Sequence, residues 1–138
     1  QNMQFEYVLG FEDFIVQLHQ LNVNTAVVTS SNKQKMQQVY TQHPNFKAYF
    51  DHIFTAEDFV KSKPDPYCYL LGASYFGVKL TECMAFEDSI NGFKSVTAAA
   101  MPLVGLATSN PIEVINQYTK VIIPNYLQVN FTDLCAAF

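Results

Sequence analysis

Three short groups of polar residues in this chain could act together on a phosphorylated ligand. Thr29-Ser30-Ser31 follows an apolar run, Lys63 lies in the turn-rich segment Ser62-Lys63-Pro64-Asp65-Pro66, and Glu87-Asp88-Ser89 closes another apolar run. A phosphate needs backbone N–H donors, a hydroxyl and a fixed positive charge, whereas a hard divalent cation such as Mg2+ needs carboxylate oxygens and water. A hydroxyl at a helix start, a cation and a carboxylate pair supply both sets. Each group also has a plainer reading: Thr29 to Ser31 as a helix cap, Lys63 as a solvated loop lysine, and the acidic pair as a complement to a helix dipole. Their joint occurrence, in order and each at a strand end, favours the chemical reading.

The elements that must position these groups can be read from periodicity. Phe11, Phe14, Ile15, Leu18 and Leu21 recur at helical spacing, and Thr25 to Val28 forms a short β-rich run apolar on both sides. Ser30, Ser31 and Asn32 are N-cap candidates for a polar helix through about His43, where Pro44 discourages continuation. His52 to Thr55 reads as a strand, and Tyr67 to Phe76 as a helix with Pro66 at its start and Gly77 at its end. Cys83 to Phe86 reads as a strand, Ser89 to Ala100 as a helix, Leu103 to Leu106 as a strand, Pro111 to Tyr118 as a helix, and Val121 to Ile123 as a last strand. Strands apolar on both faces and alternating with helices imply an α/β fold whose parallel sheet is covered on both sides. Ligands of such sheets bind beyond the carboxyl ends of the strands, where the three polar groups fall.

Composition narrows the function classes. The chain has 138 residues, enough for one ordinary domain, and its 49% hydrophobic and 14% charged residues argue against disorder. Every one of its 8 basic residues is Lys, the net charge is −4 and the pI is about 5.2, which disfavours nucleic-acid binding through a basic face. Three cysteines without paired spacing, Cys68, Cys83 and Cys135, suit a reducing compartment, with the cytoplasm as the expected location. No apolar run approaches the length a membrane helix needs, and Gln1-Asn2-Met3-Gln4 does not read as a charged leader. The start at Gln1 rather than Met suggests a processed product or a piece of something longer.

The motifs carry a more specific resemblance. VVTSSN at 27–32, SKPDPYCYL at 62–70 and FEDSINGFKS at 86–95 resemble the second, third and fourth signatures of the haloacid dehalogenase superfamily of phosphotransfer enzymes. Their order and intervals are most similar to those of the β-phosphoglucomutase and phosphoglycolate phosphatase branch, over roughly residues 8 to 124. The resemblance implies a Rossmann-like three-layer α/β sandwich with a parallel sheet. It further implies a Mg2+-dependent phosphatase or phosphomutase that acts on a small phosphorylated metabolite through an aspartyl-phosphate in the complete protein. On that basis Thr29 would hydrogen-bond the transferring phosphate, helped by the N–H of Ser30, and Lys63 would neutralise the phosphate and orient the nucleophilic carboxylate. Asp88, with Glu87 beside it, would hold Mg2+. Ser30, Ser31, Asn32 and Lys33 would face the substrate, and Ser89 would cap its helix.

Two departures stand out. Ala100 occupies a position where the family has Gly at the end of a helix, and alanine accepts a left-handed C-cap less readily. The family's first signature, a strand followed by Asp-x-Asp, has no counterpart: the aspartates are Asp13, Asp51, Asp58, Asp65, Asp88 and Asp133, no two of them two apart. Residues 1–138 therefore read as the C-terminal part of the core domain, without the cap domain, and residues 4–10 as the segment returning from that cap. The missing N-terminal segment becomes an expected partner, and its strand is expected at the centre of the sheet, between residues 25–28 and 83–86. The alternative is a non-catalytic phosphate-binding or protein-interaction domain that keeps the cradle without the nucleophile. A response-regulator receiver domain fits less well, because only Asp88 comes near to ending a central strand.

Overall fold

The computed structural model describes residues 6–138, so residues 4 and 5 of the expected returning segment lie outside the described residues. Helix α1 (Phe11–Gln20) buries Phe14, Ile15 and Leu18 of the five residues read at helical spacing; Phe11 is half-buried, and Leu21, just past the helix end, is exposed. Gly10 leads into it at φ 81, and a Cβ there would come within 2.6 Å of the Leu127 nitrogen, so glycine lets the entering chain pass close against that turn. In order there follow β1 (Ala26–Val28), α2 (Lys33–Gln42), β2 (His52–Phe54), α3 (Tyr67–Phe76), β3 (Ala85–Glu87), α4 (Ile90–Ala98), β4 (Leu103–Leu106), α5 (Ile112–Ile115), β5 (Ile122–Ile123) and α6 (Phe131–Ala136). Short 3-10 turns cover Phe46–Tyr49, Ala56–Asp58 and Leu80–Glu82.

All pairings are parallel, and the sheet comes in two parts. β1 pairs with β2, and β3, β4 and β5 pair in that order. Among the described residues no ladder joins β1 to β3. Between the two parts runs a cleft of about 1410 Å³, whose walls include Ala26 and Val28 of β1 and Ala85 and Phe86 of β3. That is the position expected for the absent first strand.

Helices cover both faces, and side-chain alternation along the strands shows how. Ala85 and Leu103 join Cys68, Tyr69 and Ala73 of α3 and Phe93 and Val96 of α4 in one core. Val104 and Leu106 point the other way, into a core shared with Phe14, Ile15 and Leu18 of α1 and Leu134 of α6. α2 adds Met36 and Val39, which pack with Phe46 against Val27 and Ile53. The result is the three-layer α/β arrangement that the strand and helix pattern implied. Gly105 has a packing reason: a Cβ there would run into the Ile115 side chain, so its absence lets α5 lie close on β4.

Several boundaries differ from the sequence reading. β3 starts at Ala85 rather than Cys83; Cys83 is half-buried in the preceding turn, where its Sγ donates to the Lys79 carbonyl at 3.4 Å. Glu87 is consequently the last residue of the strand. α5 stops at Ile115, and hydrogen-bonded turns carry the chain on to Thr119, whose Oγ1 donates to the Leu103 carbonyl at 2.7 Å. α6 was not expected; Asn130 caps it by accepting from Asp133 N at 3.1 Å. Ala100 does adopt a left-handed conformation, at φ 59.

Candidate functional site

The carboxyl ends of β1 and β3 face each other across the mouth of the cleft, and the loop before α3 reaches over to join them. Beyond β1, the Thr29 N–H extends the ladder to the Phe54 carbonyl at 3.1 Å, and the Thr29 hydroxyl accepts from the Ser31 N–H at 3.1 Å. That local turn holds the Thr29 side chain at the rim. Asn32 is the residue that caps α2, its Oδ1 accepting from Lys35 N at 2.8 Å, so Ser30 and Ser31 are released from capping. The Ser30 N–H has no hydrogen bond among the described residues. Lys33 begins α2 exposed, and both Glu57 carboxylate oxygens accept its N–H at 3.1 Å.

Lys63 is held in a tight turn. Asp65 N bonds the Ser62 carbonyl at 3.0 Å, and Asp65 Oδ1 accepts from Tyr67 N at 2.9 Å, starting α3. Ser95 of α4, wholly buried, donates to the Asp65 carbonyl at 2.6 Å and so pins the same turn from behind. Out of this turn the Lys63 ammonium donates to the Val28 carbonyl at 3.1 Å and to Glu87 Oε2 at 2.5 Å. One cation thus spans the cleft mouth from β1 to β3. The Lys63 ammonium also lies 5.4 Å from the centre of the Tyr69 ring.

Glu87 and Asp88 are adjacent in sequence and separated in space, because successive residues of a strand point to opposite sides. Glu87 is 7% exposed and turns toward α3 and α4: Oε2 takes Lys63 and the Tyr69 hydroxyl, and the carboxylate lies where a Cβ on Gly92 would sit. Burial first, and then the Glu87 charge, hold the Tyr69 phenol well above the usual tyrosine range, so it stays a donor. Asp88 points to the rim and is half-buried, and its Oδ2 is reached by Ser109 Oγ at 3.1 Å. Ser89 caps α4, accepting from Gly92 N at 3.0 Å, as expected.

The structure therefore brings Thr29, Ser30, Lys63, Glu87 and Asp88 to one cleft, whereas Ser31, Asn32 and Lys33 are not among its walls: Asn32 caps α2, and Lys33 lines a separate hollow with Gln37 and Tyr40. Sequence reasoning assigned no role to Tyr69, Ser95 or the Thr108–Asn110 loop. Tyr69 lies within the SKPDPYCYL string, but nothing in the string assigned its hydroxyl a partner. Ser95 lies within the FEDSINGFKS string and was readable only as helix. The oxygens at the rim suit a hard cation in kind but not in number, since no group of three His, Cys, Asp or Glu converges among the described residues.

Comparison with known proteins agrees with this layout. The sequence profile of the haloacid dehalogenase-like hydrolases matches residues 8–99. Validoxylamine A 7'-phosphate phosphatase of Streptomyces hygroscopicus subsp. limoneus is 30% identical over 104 residues, which cover 75% of this chain and 48% of that protein. A HAD hydrolase of family IA, variant 3, from Entamoeba histolytica has the same fold, with a TM-score of 0.87 at 22% identity over 94% of this chain and 60% of its own. β-Phosphoglucomutase from Clostridium difficile gives a TM-score of 0.79 at 21% identity, over 94% and 55% respectively. The chain spans about half or less of the length of the curated relatives it matches.

Proposed function

The chain belongs to the haloacid dehalogenase-like hydrolases, and from that premise we propose that it forms the greater part of a phosphatase or phosphomutase site for a small phosphorylated metabolite. The observation that carries this reading is the Lys63 ammonium, fixed between the Val28 carbonyl and Glu87 at the mouth of a cleft that separates two parallel half-sheets. A cation held there by carboxylate and carbonyl oxygens is placed to meet a dianionic phosphate entering from the rim. The Thr29 hydroxyl donates to the phosphate and the free Ser30 N–H adds a second donor. Ser31, Asn32 and Lys33 follow at the start of α2, outside the walls of the cleft, and would meet only a substrate that extends beyond it. Glu87 acts first by holding Lys63, and its charge adds to that of Asp88.

The attacking group is an aspartate on a strand that seats between β1 and β3, contributed by residues outside these 138. Such a strand would satisfy the inner-edge N–H and C=O groups that β1 and β3 leave without a ladder. Its carboxylate oxygen forms a bond to phosphorus as the bond from phosphorus to the leaving oxygen breaks, and a second carboxyl on the same strand protonates that oxygen. Water then cleaves the aspartyl-phosphate in a phosphatase, or a sugar hydroxyl takes the phosphoryl group in a phosphomutase. Asp88 would hold one corner of a Mg2+ ion, with the inserted strand and water completing it. When bound, the ion offsets the charge on the phosphoryl oxygens. No described helix is long and apolar enough to cross a membrane, and three unpaired cysteines support a reducing compartment, the cytoplasm.

The test is chemical trapping in the protein complemented with an Asp-x-Asp strand. Rapid quenching during turnover should yield a hydroxylamine-labile phosphoryl adduct on the first aspartate of that strand. An adduct on a serine, threonine or lysine of the present chain would contradict the assignment.

A further inference from the structure

Asp88 stands between two committed neighbours: Glu87 is turned onto Lys63 and Tyr69, and Ser89 caps α4. What fixes the Asp88 carboxylate must come from across the rim, and the register of the sheet determines what is available. β3 and β4 pair in parallel with Glu87 opposite Gly105, so the segments leaving the two strands run side by side. The segment leaving β4 turns over Asp88. Ser109 Oγ donates to Asp88 Oδ2 at 3.1 Å, Thr108 Oγ1 reaches the same oxygen at 3.4 Å, and Asn110 Nδ2 donates to the Asp88 backbone carbonyl at 2.8 Å. No hydrogen bond from a described residue reaches Asp88 Oδ1. Ser109 and Asn110 also line the cleft together with Thr29, Lys63 and Asp88.

We propose that Thr108, Ser109 and Asn110 are positioning residues that lock the Asp88 backbone and one carboxylate oxygen, so that the other oxygen is presented to the cation in a fixed direction. This rests on the reading of Asp88 as a Mg2+ ligand. A carboxylate at a solvent-facing rim otherwise turns freely about its side-chain bonds, and each orientation it samples is lost when a metal binds. Donors that occupy Oδ2 remove that freedom beforehand and leave the lone pairs of Oδ1 aimed outward. The amide of Asn110 does the same for the main chain, tying the end of β3 to the start of α5.

The experiment uses the chain itself and Mn2+ as a paramagnetic probe, read by broadening of backbone amide resonances. In the unaltered chain, millimolar Mn2+ should broaden residues 87–89 and 107–110 before others. In Thr108→Val/Ser109→Ala, the Mn2+ concentration for half-broadening should rise about tenfold, in line with the usual effect of removing an outer partner of a metal ligand. Asn110→Ala should act in the same direction, and Thr108→Val/Ser109→Thr should return most of the affinity. Thr108 and Ser109 are exposed, so a dispersed spectrum checks that the variants fold. Unchanged broadening in folded Thr108→Val/Ser109→Ala, with Asp88→Asn still abolishing it, would overturn the positioning role alone. Broadening that is absent in the unaltered chain, or survives Asp88→Asn, would overturn the metal reading of Asp88 and the positioning role with it.

Discussion

Lys63 and Glu87 form an ion pair 2.5 Å apart in which both side chains are largely shielded from water, and the same ammonium reaches back to the Val28 carbonyl. The pair is therefore a structural tie between the two half-sheets as well as a candidate catalytic element. Removing one partner leaves the other charge buried, a change that costs about 3 kcal/mol or more in comparable settings. Lys63→Met is expected to destabilise the chain by roughly that amount, and Lys63→Met/Glu87→Gln to recover a large part of it; urea unfolding of the unaltered chain, Lys63→Met, Glu87→Gln and the double variant measures both. In the complemented enzyme, Lys63→Ala should also lower turnover per folded molecule by about 10²-fold or more. A loss confined to stability would make Lys63 a structural residue.

Glu57 ties the α2 start to the segment after β2. The N–H of Lys33 is the first cause of a Glu57 pKa below its ordinary 4.5. A carboxyl whose pKa is lower in the folded than in the unfolded state contributes stability that is fully present above 4.5 and is lost as pH falls through the lowered value. Glu57→Gln should thus have a lower Tm than the unaltered chain at pH 7, with the gap closing as pH is taken below 4.5. A gap that widens on acidification would mean that the Glu57 carboxylate does not stabilise the α2 start.

Ala100, two residues beyond the end of α4, has φ 59 and is exposed, so its left-handed backbone is held by what precedes and follows it rather than by its own preference. Ala100→Gly should stabilise the chain by about 1 kcal/mol, the relief of the left-handed penalty less the extra entropy of an unfolded glycine. Thermal and urea unfolding would show it as a raised midpoint with unchanged slope; a lowered midpoint would mean that the strain is not at this residue.

What the sequence made legible follows from where local chemistry was decisive. α3 runs from Tyr67 to Phe76 as read, because Pro66 and Gly77 punctuate both ends, and Gly77 takes the left-handed conformation that such an end requires. The two-part sheet was legible from the missing Asp-x-Asp signature, and among the described residues no ladder joins β1 to β3. Contacts made across the fold were not. Glu87 and Asp88 read as one acidic pair, and only the alternation of β3 shows that one turns to Lys63 while the other turns to the rim. Thr108, Ser109 and Asn110 carry no spacing signal at all; they reach Asp88 because β3 and β4 lie side by side.

On this reading the chain carries the phosphate and metal side of a phosphotransfer site, and the attacking carboxylate arrives on a strand between β1 and β3. The direct measurement is Mg2+-dependent hydrolysis of p-nitrophenyl phosphate by the purified chain, alone and after an N-terminal segment with an apolar strand and Asp-x-Asp is supplied. The chain alone should show no turnover above a contaminant control, and the chain with the segment clear turnover that is abolished when the segment's first aspartate is changed to asparagine. Robust Mg2+-dependent turnover by the chain alone would contradict this reading.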